Sequence, residues 1–103
     1  MKITIIPVDG AVYKDGVSYS DLDLVEAPVG VHALQFNDVT NKGWVEFIDD
    51  DFGIKLPNEV ITELPSWAVT ASAKWEQAKA AEEAAIEAAR LEALKKVIPV
   101  TEV

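Results

Sequence analysis

Cysteine is missing from all 103 residues, which excludes disulfides, thiolate metal sites and a cysteine nucleophile and fits a protein made in a reducing cytoplasm. Histidine is nearly missing too, with His32 alone. No apolar run approaches the ~18 residues of a membrane span. The stretch Met1 to Pro7 has one basic residue and a short β-branched run that meets Pro7 and then Asp9. That run is too short for the apolar centre of a secretion signal, so no export signal is expected. Cations are scarce, with nine Lys and Arg against 18 Asp and Glu for a net charge of −9. The imbalance is local: residues 1–65 hold 12 acidic and 4 basic side chains, residues 66–103 hold 6 and 5. A surface of that sign lacks the Lys and Arg that release counterions from a phosphate backbone. Neither nucleic acid nor a membrane is therefore expected as a partner, and protein is.

What is present is half apolar, with Trp44, Trp67 and Trp75, three Phe and two Tyr to fill a small core. The length suits one domain. From Lys2 to Tyr19 the apolar residues are β-branched or aromatic: Ile3, Ile5, Ile6 and Val8, then Val12 and Tyr13, then Val17 and Tyr19. Asp9-Gly10 and Asp15-Gly16 punctuate these runs as two-residue hairpin turns, which predicts a three-stranded meander. Pro7 cannot donate to a ladder, so the first strand is expected at an edge or bulged near its end. Ser20 to Gly30 reads as an irregular crossing that tucks Leu22 and Leu24 under the sheet. Val31–Phe36 and Trp44–Ile48 form a second strand pair around a polar loop, with His32 expected on the face of Leu34 and Phe36.

The last third is the most distinctive part. Between Ser66 and Ile98 eleven alanines alternate with Glu, Lys and Arg, without proline or glycine. These are the strongest helix formers, and a helix of that length runs roughly 50 Å, longer than a compact domain of this size is wide. Its start is expected between Thr62 and Ser66, with Thr62 as cap, and Pro99 supplies the stop. Trp67, Ala71, Trp75 and Ala78 make an apolar stripe suited to packing on the sheet. Beyond Lys79 the large apolar side chains thin out to Ile86, Leu91, Leu94 and Ile98. A heptad frame puts Leu64, Ala71, Ala78, Ala85 and Glu92 at one seam position and Trp67, Lys74, Ala81, Ala88 and Lys95 at the other. That seam is too small and broken for a conventional zipper, though it leaves room for alanine-mediated packing.

The expected fold is α+β: a small antiparallel sheet of about five strands over residues 1–56, then one long C-terminal helix over residues 57–103. The first half of the helix packs on the sheet and the second half projects. Ile86, Leu91, Leu94 and Ile98 are the expected interaction residues, with another protein or a second copy as partner.

The candidates for chemistry each have a plainer reading. His32 sits in a strand pattern without the spacing of a triad or zinc site. A calcium loop begun at Asp49 would put Ile54 where glycine is required and Val60 where the bidentate Glu belongs, so Asp49-Asp50-Asp51 reads as a solvated linker. The five glycines are isolated at turns and make no phosphate loop. Trp44, Trp67 and Trp75 could stack bases or sugars, but lack flanking cations and read as core. Glu82 and Glu83 are neighbours on a helix, which splays them apart. No acid–base pair, metal or cofactor site is expected, and the protein reads as a non-enzyme.

The run Met1-Lys2-Ile3-Thr4-Ile5-Ile6-Pro7-Val8-Asp9-Gly10-Ala11-Val12-Tyr13, followed by Val31–Phe36, Gly43–Phe47 and Asn58–Trp67, resembles small tail-associated proteins of tailed bacteriophages. The resemblance covers residues 1 to about 75. It implies a structural or adaptor role in the virion tail, with other tail or fibre proteins as partners and synthesis in the host cytoplasm. The alternative it implies is a transient tail-fibre assembly chaperone. It brings no catalytic motif and no functional residues.

Overall fold

A computed structural model describes residues 1–49, 53 and 56–97. Among these are six strands and one α-helix: β1 (Lys2–Ile6), β2 (Ala11–Lys14), β3 (Val17–Tyr19), β4 (Val31–Asn37), β5 (Lys42–Phe47), β6 (Glu59–Ile61) and α1 (Ser66–Val97). The strands form one antiparallel sheet in the order β3-β2-β1-β4-β5-β6. The fold is α+β, as the sequence predicts.

The β2–β3 hairpin closes through Asp15 and Gly16, both at positive φ (48° and 84°), with Lys14 opposite Val17. That is the backbone an Asp-Gly pair favours in a two-residue turn. The β1–β2 connection is different. Pro7–Asp9 form a single 3-10 turn, and only Gly10 of the Asp9-Gly10 pair is left-handed. Pro7 therefore does not mark an edge, and β1 lies in the middle of the sheet between β2 and β4. Proline is accommodated because it opens the 3-10 turn, where its missing N–H has no ladder partner to satisfy.

Residue pairing puts whole rows of side chains on one face. Tyr19, Val12, Ile5, Leu34 and Val45 form one inward row, and Val17, Lys14, Ile3, Phe36 and Gly43 another. Ile5, Val12 and Leu34 are fully buried. Gly43 has no substitute in its row, since a Cβ there would lie 2.1 Å from the Gln35 carbonyl oxygen. The crossing after β3 does bring its leucines in, Leu24 buried and Leu22 half-buried. It is anchored by the Leu22 N–H donating to the Gly10 carbonyl at 3.0 Å.

Two further expectations change. His32 does not share the face of Leu34 and Phe36, because a bulge lies between Val31 and Ala33. One extra residue reverses the alternation, so His32 is exposed while Val31 and Ala33 are both buried. The sheet also extends past residue 57, where the second part was placed, because β6 pairs with β5.

The helix begins at Ser66, and the Pro65 carbonyl accepts from the N–H groups of Ala68 and Val69 at 2.9 and 3.1 Å. Thr62 lies four residues upstream and does not cap it. Ala68, Ala71 and Trp75 enter the core, while Trp67 packs at its edge. Trp75 is the anchor. Its ring is 4% exposed, its indole N–H donates to the Val17 carbonyl at 3.0 Å, and it meets Tyr19 edge-on with centroids 5.7 Å apart. Trp75→Ala is expected to cost about 3–5 kcal/mol, a large share of the roughly 5–15 kcal/mol that holds an ordinary domain. Urea denaturation followed by far-UV circular dichroism measures this.

Candidate functional site

Lys14 is an inward-pointing lysine that the sequence pattern does not single out. It stands in the inward row between Val17 and Ile3 and is 5% exposed. Its ammonium donates to Glu76 Oε1 at 2.9 Å and lies 4.8 Å from the Trp75 ring centroid. The charge is satisfied by a carboxylate on one side and a ring quadrupole on the other. On the same helix Lys79 approaches the Trp75 ring and pairs with Glu83 at 3.1 Å. Tyr19 meets the same turns: burial first, then the Glu82 and Glu83 carboxylates, push its phenol above the ordinary tyrosine pKa. The Lys74 ammonium donates to the Asp23 carbonyl. These groups clamp about the first five turns of α1 onto the β2–β3 hairpin and its following loop.

Past the clamp no described residue buries the helix. Every described residue from Ala80 to Lys96 is exposed. Ile86, Leu91 and Leu94, three of the four expected interaction residues, are 58%, 48% and 42% exposed on this segment. Ile98 lies outside the described residues. At about 100° per residue, Leu91 and Leu94 lie roughly 60° apart, while Ile86 is about 140° from Leu91. Leu94 is about 80° from Ile86, so the three lie within an arc of about 140° with Leu94 between the other two. Between them lie alanines and the ion pair of Arg90 with Glu87 at 2.7 Å, which raises the arginine's pKa and lowers the glutamate's.

The other open surface is the sheet face turned away from α1. Its central row runs Ser18, Tyr13, Thr4, Gln35, Trp44 and Val60 across all six strands. Tyr13, Trp44 and Val60 are exposed. Trp44 is not core, contrary to the reading from composition. It borders an open cleft of about 690 Å³ whose walls include His32, Glu46, Ile48, Asp49 and Asn58. The bulge at His32 brings the imidazole here. The cleft thus collects the only histidine with two carboxylates, but no hydrogen bond joins His32 to Glu46 or Asp49. Among the described residues no three His, Asp or Glu side chains meet as a metal site would require. The described part of the acidic linker, Asp49, forms a wall of the cleft.

Among the described residues no helix is long and apolar enough to cross a membrane. The chain matches no family model, no curated protein and no solved structure.

Breaking one half of the clamp separates its roles. Glu76→Gln leaves a buried ammonium without its carboxylate and is expected to destabilise the fold by about 1–3 kcal/mol. Lys14→Met, which removes the need for that carboxylate, is expected to be neutral or mildly stabilising. Thermal denaturation of both variants at neutral pH checks the contrast.

Proposed function

We propose that this chain is a non-enzymatic adaptor of a bacteriophage tail, in which the β module docks on one virion protein and the outer half of α1 meets another, or a second copy of itself. One observation carries the adaptor reading. The helix continues through Ala80–Lys96 with every residue exposed, and beyond Glu83 it presents Leu91 and Leu94 to solvent side by side. Intrinsic propensity and surface ion pairs of about 0.2–0.5 kcal/mol each leave such a segment marginal in water. A second helix or a groove that buries Leu91 and Leu94 would hold it.

The tail assignment is supported by the sequence resemblance over residues 1 to about 75. It is compatible with an elongated molecule, 75 by 31 by 19 Å, able to bridge neighbours in a symmetric assembly. Mass spectrometry of purified virions separates the two roles the resemblance implies. Stoichiometric presence supports a tail component. Co-purification with the fibre, but not with finished particles, supports an assembly chaperone.

Leu91→Asp/Leu94→Asp tests the helix directly. Both side chains are exposed, so the melting midpoint of the isolated chain is expected to stay essentially unchanged. Incorporation into particles, or capture by the fibre, is expected to fall sharply. Unchanged incorporation would remove the helix from the interface.

A further inference from the structure

The cleft on the open sheet face has a chemistry of its own. Trp44 is 41% exposed, and its indole N–H donates to Glu46 Oε2 at 2.8 Å, which fixes the ring and the carboxylate relative to each other. Residues two apart on a strand share a face, so both side chains belong to the same open surface. Asp49 adds a second carboxylate and Asn58, just before β6, adds a side-chain amide.

An exposed indole that shares a cleft with two carboxylates suits a cation. The ring quadrupole attracts it, and the carboxylates give it charge-assisted hydrogen bonds. Guanidinium fits better than ammonium, because it is planar, weakly hydrated and able to stack and pair at once. The module around the cleft is strongly acidic, with 12 acidic against 4 basic side chains in residues 1–65, so it attracts basic segments and repels phosphate or acidic ones. A neutral sugar could stack on Trp44 but would gain nothing from this field.

We propose that the cleft between Trp44, Glu46, Asp49 and Asn58 receives an arginine side chain carried by a basic segment of a partner protein. This names the chemistry of the partner that the β module binds, and it rests on the adaptor reading only for that partner being a virion protein. The described walls of the cleft belong to the sheet and the residues beside it, so its preference does not depend on the projecting helix.

The test titrates the full chain with the peptide acetyl-Gly-Arg-Gly-Arg-Gly-amide and with the same peptide carrying citrulline, the uncharged isostere of arginine. Nitrogen-15 NMR follows the indole N–H signals and the Asn58 side-chain amide. The arginine peptide is expected to shift the Trp44 and Asn58 signals saturably while the buried Trp75 signal stays in place. The citrulline peptide is expected to bind at least about tenfold more weakly, the fold-change for loss of one good charged contact. Glu46→Gln/Asp49→Asn and, separately, Trp44→Leu are expected to weaken binding by about the same factor. Asp9→Asn/Glu26→Gln removes two exposed carboxylates elsewhere and is expected to change affinity less than about twofold, since screened distant charges contribute little. Equal losses in the two carboxylate variants, equal binding of the citrulline peptide, or no saturable shift at Trp44 would each overturn the proposal. None of these variants touches Leu91 or Leu94, so failure here is distinguishable from failure of the helix interface.

Discussion

The structure depends on how Trp75 is held. This one side chain is packed edge-on against Tyr19, bonded through its indole N–H to the Val17 carbonyl, and covered by the Lys14 ammonium. Each contact ties α1 to the β2–β3 hairpin, so the helix is fixed at one side of the sheet. The small residues Ala68 and Ala71 allow the helix backbone to come close to the core there. Lys14 could not be buried without Glu76, and Glu76 is within reach because it follows Trp75 on the same helical turn. The hydrophobic anchor and the ion pair therefore depend on each other.

Once the helix is anchored at that end, its length decides the rest. The sheet offers α1 roughly the width of a few strands, while 32 residues of helix extend about 48 Å. The clamp ends near Glu82 and Glu83, and every described residue from there to Lys96 is exposed. A radius of gyration of 19.5 Å, against about 13 Å for a compact chain of 100 residues, reflects this. Alanine suits such a segment, because it keeps helix propensity high while exposing little apolar surface per residue. Two separate surfaces result: a helical rod at one end and an open sheet face with an acidic, tryptophan-bearing cleft at the other.

Much of this was legible in the sequence wherever a local rule and the tertiary structure agree. Asp15-Gly16 specified its turn, Leu24 its burial, and the Trp67, Ala71, Trp75 spacing the face of the helix on the sheet. The misreadings have physical causes. Pro7 suggested an edge strand because a ladder position and a 3-10 turn just after the strand look alike in sequence. His32 was placed on the wrong face because a bulge adds one residue without leaving a mark in the alternation. β6 was missed because Glu59–Ile61 is only three residues long and owes its pairing to β5 rather than to its own composition. Trp44 was assigned to the core because large rings usually are buried. Lys14 is marked in the sequence only indirectly, since Val12 and Lys14 must share a face, and an inward lysine calls for a carboxylate within reach.

The sheet holds only the first half of α1. Hydrogen exchange of backbone amides in the monomeric chain measures that directly. The account predicts strong protection from about Val69 to Ala78 and a steep fall across Ala80–Lys96, because the outer turns can open without disturbing the core. Uniformly strong protection through Lys96 in the monomer would contradict it. That result would mean the outer helix is held within its own chain.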